Sequence, residues 1–258
     1  MEERAVSDVT RADICVIACA EAWRSDGEVM ASPFGSIPAL GARLAKSTFN
    51  PDLVLTDGEA ALVAGVPALN ARPDDLTREA YVPYRSIFAV VWSGRRHIMM
   101  MASQVDQFGN QNISAIGPHD KPVAQLVGVR GAPGNSVNHA TSYWVPAHNA
   151  KAFVSAVDVV CGVGNDRAAA AGAGATRFHD LRRVVSNLGV FDFSGPGGSM
   201  ALVSAHPGVE VDEIVDSTGF ELDGVDGEVP VTRSPTNEEQ SLIDALDPKG
   251  ARHREVAS

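Results

Sequence analysis

The segment Ala102-Ser-Gln-Val-Asp-Gln-Phe-Gly-Asn-Gln-Asn112 follows directly on the run His97-Ile-Met-Met-Met101. A short apolar run bounded by turn residues fits a strand buried on both faces of a parallel sheet, and Met99 to Met101 are expected to pack there as core. The strand ends near Asp106-x-x-Gly109-Asn110, which reads as a turn: a short side chain bonds nearby backbone amides and glycine tolerates positive φ. Gln104, Asp106, Gly109, Asn110 and Asn112 are expected to hold the fold and shape a pocket floor rather than to react.

The same alternation runs outward in both directions. Thr10 to Glu21 has helical periodicity, Glu28 to Ala31 reads as a short strand, and Ser32-Pro-Phe-Gly35 turns into a helix from Ile37 to Lys46. Asp52-Leu-Val-Leu-Thr56 then reads as a buried strand ending at Asp57-Gly58, completing a β-α-β sequence. Further strands are expected at 86–91, 125–129, 142–145, 156–160, 183–186, 190–193 and 201–205, with Gly195-Pro-Gly-Gly198 a tight turn and 209–217 a short helix. Polar loops at strand ends are where open α/β sheets bind ligands. The fold class is thus α/β, an open, largely parallel sheet flanked by helices. Residues 1–222 are expected to form a single domain. Residues 223–258 read as a partly irregular tail that frays or lies on a partner, apart from a possible helix at Glu238 to Leu246.

A chain of 258 residues, 45% hydrophobic and 21% charged, fits one large globular unit. Its formal charge of -11 argues against wrapping nucleic acid, whose affinity comes from basic side chains on phosphates. A few local cations suffice for an anionic ligand, the candidates being Arg85, Arg95, Arg96, Lys121 and Arg130. Glu2, Glu3, Asp8 and Asp13 interrupt the first stretch, which excludes a signal peptide, and no apolar run approaches the roughly 20 residues of a bilayer span. A soluble cytoplasmic protein with no membrane partner is expected. The three cysteines lack CxxC spacing, and Cys15 and Cys19, as i, i+4 neighbours, read as core. His97, His119, His139, His148, His179, His206 and His253 lack the spacing of metal ligands on one element; His139 and Asn138 are minor pocket candidates. Gly162-Val-Gly164-Asn-Asp-Arg167 breaks the dinucleotide fingerprint at its third glycine, and neither a GxSxG elbow nor a phosphate loop is present. No metal or redox cofactor is implied.

Four stretches, in order, resemble the β subunit of glutaconate-type class I CoA transferases. They are Asp52 to Gly58; Ala102 to Asn112, which matches the family's Gln-Val/Ile-Asp-x-Tyr/Phe-Gly-Asn-x-Asn; the glycine-rich Gly128-Val-Arg-Gly-Ala-Pro-Gly-Asn135; and Arg183 to Phe193 followed by Val211 to Leu222. Within that superfamily the likeness is closer to the branch of steroid ring-opening CoA hydrolases of cholesterol catabolism. The resemblance implies an α-type subunit as partner, an α2β2 assembly, an acyl-CoA substrate of which coenzyme A is a part, and no separate cofactor. A transferase carries a nucleophilic glutamate in the β-subunit turn; the matched position here is Thr56. Glu59 is either that carboxylate displaced or a first-turn residue of a helix beginning at Asp57.

A hydrolase of a β-keto thioester needs a base for water and donors for the developing anion. With no carboxylate at Thr56, the resemblance implies that the partner supplies it. Arg130 is the catalytic candidate: flanking Gly128 and Gly131 allow close approach, and its planar fork suits a carboxylate or enolate. A surface arginine on a turn is the plain alternative. Gly131, Gly134 and Asn135 can present amides as an oxyanion hole or simply turn the chain around Pro133. Thr56, Glu59, Gly128, Gly131, Gly134, Asn135 and Gln104 form the substrate-binding set. A true CoA transferase is the alternative function. A noncatalytic ligand-sensing module is a second, disfavoured by the absence of a basic helix-turn-helix ahead of the fold.

Overall fold

The computed structural model describes residues 9–256; the acidic positions Glu2, Glu3 and Asp8 lie outside them. Helix α1 (Arg11–Glu21) starts at Thr10, whose side chain accepts from the Asp13 amide at 3.3 Å while the Asp13 carboxylate accepts from the Thr10 amide at 2.9 Å. This reciprocal cap satisfies amides that the first turn would leave unpaired. Strand β1 (Met30–Pro33) lies two residues later than the pattern indicated, and α2 (Ser36–Ser47) follows. A Cβ on Gly41 would sit 2.8 Å from the Cys19 Cβ, so α1 and α2 approach closely only because that position is glycine.

The chain then runs parallel to β1 for one bridge: the Val54 carbonyl accepts from Ala31 at 3.0 Å and the Val54 amide donates to Val29 at 2.9 Å. It peels away as β2 (Leu55–Thr56), which pairs antiparallel with β3 (Ala61–Val63), and β3 pairs with β4 (Arg78–Tyr81). The helix expected to begin at Asp57 is absent. Gly58 adopts φ 84, and the Asp57 carboxylate accepts from the amides of Glu59, Ala60 and Ala61, closing a turn between two strands.

Residues 86–91 are not a strand but the middle of α3 (Tyr84–Ser93), which starts after Pro83 and ends at Gly94 in the left-handed region. Tyr84, Phe88 and Trp92 sit one above another on that helix, with ring centroids 5.7 and 6.4 Å apart. Then come β5 (Arg96–Met101), the two-residue strands β6 (Gln104–Val105) and β7 (Gln111–Asn112), and β8 (Ala115–Ile116) with β9 (Ala124–Gln125). The expected strand at 125–129 is thus only the end of β9. Helix α4 (Ala132–Asn138) leads into β10 (Ala140–Val145). The expected strand at 156–160 is a loop instead, because Asp158 is tied by Gln104 and by the Gly117 amide at 3.0 Å. Helices α5 (Asn165–Ala171) and α6 (Ala173–Thr176) precede β11 (Asp180–Ser186), β12 (Gly189–Asp192) and β13 (Ala201–Ala205), with α7 (Val211–Asp216) after them.

The central sheet has the order β1-β5-β10-β11-β12-β13, the first four strands parallel and the last two joined antiparallel. Alternation along β5 and β10 sends Met99 and Trp144 into the core under α1 and α2, and Ile98, Met100, Tyr143 and Val145 into the core on the other face. Both faces being covered is why these strands read as unbroken apolar runs. The Asp106 turn is scaffold: its carboxylate accepts from the Phe108 and Asn110 amides at 3.1 and 3.0 Å. Gly109 sits at φ 80, with a Cβ there only 2.7 Å from Leu181 and Phe193.

Residues 223–256 are packed onto the rest of the fold. Residues 223–232 run beside β13, with the Leu202 amide donating to Asp223 and the Thr232 amide to Ala205, both at 2.8 Å. Helix α8 (Asn237–Leu246) buries Ile243 and Leu246 in the α1/α2 core, and Arg252 ties the C-terminal turn to Asp13, Asp244 and Asp247. Among the described residues no helix is long and apolar enough to cross a membrane.

Candidate active site

Where β2 leaves the sheet edge, the turn Thr56-Asp57-Gly58-Glu59 stands between two cavities. One, of about 660 Å³, is lined by Ser32, Phe34, Thr56, Glu59, Tyr84 and Arg96, among others. The other, of about 400 Å³, lies towards Arg43, Asp57, Leu69 and Arg78. The turn is stiff. The Thr56 hydroxyl accepts from the Gly58 amide at 3.2 Å, and Asp57 faces Arg78 at 3.7 Å. Burial works against the ionised Asp57 carboxylate, but the amides of Ala61, Glu59 and Ala60 outweigh it and hold the group below its ordinary value. Thr56 and Glu59 therefore line a common cavity, with Glu59 exposed at the tip.

Arg96 links this space to the glycine-rich loop. It is buried at the start of β5, donates from Nε to the Ser32 hydroxyl at 2.8 Å, and donates from Nη1 to Asn135 Oδ1 at 2.9 Å. Burial pulls its pKa down to about 10, so it remains charged at neutral pH. The residues proposed from the glycine loop divide here. Asn135 holds Arg96 through its side chain, and its own amide donates to the Gly131 carbonyl at 2.9 Å, so that amide is not open to an oxyanion. Gly131 caps α4 and Gly134 lies in its first turn, while Gly128 takes φ 84 in the approach. Arg130 adopts φ 50, a left-handed conformation costly for a side chain of its size, and is exposed with no hydrogen bond or ion pair among the described residues. It lines neither cavity beside Thr56.

Gln104 stands apart. Its side-chain oxygen accepts from Asn112 at 2.7 Å and from the Asp158 amide at 3.0 Å, and its nitrogen donates to Asp158 at 2.9 Å. Of the proposed anion-binding cations, Arg95 faces Glu28 at 3.5 Å, and Arg85 and Lys121 are exposed. Only Arg96 is enclosed. Reading the sequence placed it in a group of five without distinguishing it, although an arginine opening a strand buried on both faces was the available signal. Ser32 and the apolar rim of Phe34, Val82 and Ile87 were not anticipated; they come together because α3 and the small sheet pack over the β1 edge.

The six-stranded, largely parallel sheet is that of the class I CoA transferase fold, as comparison with solved structures shows. No family model matches the chain. The IpdB subunit of the cholesterol ring-cleaving hydrolase of Rhodococcus jostii RHA1 is 51% identical over 253 residues, covering 98% of each chain. The crystal structure of Rhodococcus jostii RHA1 IpdAB matches with a TM-score of 0.92 at 50% identity, covering 97% of this chain and 100% of the other. The glutaconate CoA-transferase of Acidaminococcus fermentans shares the fold, with a TM-score of 0.80 at 19% identity over 93% of this chain and 96% of its own. The chain belongs to the family of IpdB-type subunits of cholesterol ring-cleaving hydrolases.

Proposed function

We propose that this chain is the β-type subunit of a heteromeric, cytoplasmic acyl-CoA hydrolase that opens a carbon ring of a steroid-derived β-keto CoA thioester. The α-type partner, in an α2β2 assembly, supplies the catalytic carboxylate. The observation that carries this reading is the 51% identity to a ring-cleaving subunit over nearly the whole chain; Thr56, at the position that the resemblance matches to the transferase's nucleophilic glutamate, supports it. A threonine held to the Gly58 amide is no leaving-group carrier for CoA. Water, deprotonated by the partner's carboxylate, adds to the ring ketone, and the adjacent carbon–carbon bond breaks. Its electron pair passes into an enolate that is then protonated on carbon. The product keeps CoA and gains a carboxylate. Arg130, exposed on the glycine loop, is suited to meet charge at the junction with the partner, and the aromatic row on α3 is a surface that such a subunit would cover.

The test uses the complex co-purified with its α-type subunit and a cyclic β-keto acyl-CoA. Ring opening gives a product heavier by one water with CoA attached, whether or not an acceptor acid is present. CoA transfer that depends on an acceptor acid, or a hydroxylamine-trapped adduct at Glu59, overturns the reading in favour of a transferase. Arg130→Met is expected to lower turnover about a hundredfold with an unchanged melting temperature; near-native turnover removes Arg130 from the mechanism.

A further inference from the structure

An aspartate followed by glycine can bring its carboxyl carbon onto the next backbone nitrogen, because no Cβ stands in the way. The chain holds four such pairs: Asp26-Gly27, Asp57-Gly58, Asp223-Gly224 and Asp226-Gly227. Three are held in place. The Asp26 carboxylate is buried against His97 Nδ1 at 2.6 Å and is also bound by Arg182. The Asp57 carboxylate accepts from three amides, and the Gly58 nitrogen that it would have to meet donates to the Thr56 hydroxyl. Asp223 accepts from the Ser199 hydroxyl at 2.6 Å, and a Cβ on Gly224 would lie 2.7 Å from the Leu202 carbonyl oxygen, so that peptide is pressed against β13.

The fourth pair is free. Asp226 and Gly227 are exposed, and neither the Asp226 carboxylate nor the Gly227 amide makes a hydrogen bond or ion pair among the described residues. Gly227 takes φ 89, with open space where a Cβ would stand. The pair lies in an arch between two anchors, the Asp223 carbonyl accepting from Leu202 at 2.8 Å and the Pro230 carbonyl accepting from Ala205 at 3.0 Å. Val225 and Val229 rest on the core on either side of it. The tip of the arch can therefore change shape without pulling its ends off the sheet.

We propose that Asp226-Gly227 is the site at which this protein forms isoaspartate. The Gly227 nitrogen bonds to the carboxyl carbon of Asp226, and one carboxylate oxygen leaves as water, taking the amide proton and one proton from solvent. The product is a cyclic succinimide. Water then adds to one of its two carbonyls. Opening at the side-chain carbonyl restores aspartate; opening at the main-chain carbonyl routes the chain through the side-chain carbon and leaves a free α-carboxylate. The backbone gains one methylene and the charge is unchanged. That α-carboxylate is the substrate of an isoaspartyl carboxyl methyltransferase using S-adenosylmethionine, which makes the modification both repairable and detectable.

The complex co-purified with its α-type subunit is aged in warm neutral buffer, labelled by that methyltransferase, and digested for peptide mapping by mass spectrometry. Isoaspartate is expected at residue 226 at least about tenfold faster than at 26, 57 or 223, because those three react only through local opening. In concentrated urea, where the fold is gone, the four rates are expected to converge. Isoaspartate arriving at a held pair as fast as at 226 overturns the proposal, and so does its absence at 226 in the aged complex. A preference for 226 that persists in urea also overturns it, since the local sequence rather than the fold would then set the site. Asp226→Glu, whose longer side chain must close a larger ring, should lose the labelled peptide; label surviving at the same level in that variant places the modification elsewhere.

Discussion

Arg252 and Arg96 are almost equally enclosed, 5% and 9% exposed, yet their surroundings are opposite. Around Arg252 stand three carboxylates: Asp13 at 2.7 Å, Asp244 at 2.6 Å and Asp247 at 3.3 Å. Around Arg96 stand a hydroxyl and an amide oxygen, both neutral. The first cation is neutralised inside the fold and fastens the segment after α8 onto the N-terminal cap of α1. The second has its charge still available. Burial alone does not tell whether an arginine's charge is matched; the charge of its partners does.

The contrast is tested most severely at Arg252. Arg252→Ala leaves Asp13 and Asp247 buried without their cation and is expected to lower stability by about 3–5 kcal/mol, read by urea denaturation. A loss below about 1 kcal/mol would show that the tail is held by Ile243 and Leu246 rather than by charge. The acid limb of stability comes from another source. Burial depresses His148 to about 3, and His139 and His206 to about 4, so all three are neutral in the fold. Their stabilising contribution is full above the unfolded value of about 6.5 and declines as pH falls from there towards the folded values. Between pH 7 and pH 5 each is expected to account for about 2 kcal/mol of lost stability. His206→Gln should flatten that slope, and an unchanged slope would reject its assignment.

Smaller effects are expected at two further positions. Thr236→Ala removes one half of the reciprocal cap with Glu239 that starts α8, and a loss of about 1 kcal/mol is expected in the same denaturation experiment. Arg96→Met should change stability least, by less than about 1 kcal/mol in either direction, because losing two hydrogen bonds is offset by removing an unneutralised buried charge. A drop as large as that of Arg252→Ala would mean that Arg96 is part of the scaffold.

The buried strands were legible because local pattern and tertiary role coincide there: Ala201 to Ala205 is apolar except for Ser204, bounded by turns, and lies where expected. Three misreadings have distinct causes. Ile87 to Val91 is apolar and β-branched, and the helix shows only in the spacing of Tyr84, Phe88 and Trp92. At Asp57 the acidic start and following alanines suggest a helix, but Gly58 in the left-handed region turns the chain back. The tail looked loose because Arg252 and Asp13 are 239 positions apart, a partnership invisible to any local window. For the candidate site, the turn in the sequence singled out Thr56 and Glu59, which line one cavity, whereas the pairing of Arg96 with Asn135 depends on α4 packing near β5 and leaves no mark on neighbouring letters.

The row of aromatics on α3 also gives the protein an optical address. Of its three tryptophans, Trp23 and Trp144 are fully enclosed while Trp92 is 70% exposed. Iodide in the surrounding water therefore reaches one indole and spares two, and the emission divides into a red component from the α3 face and a blue component from the interior. Whatever settles over Trp92 shifts the red component towards the blue, while loss of the fold moves the enclosed pair the other way. Docking and unfolding thus carry different colours in a single cuvette.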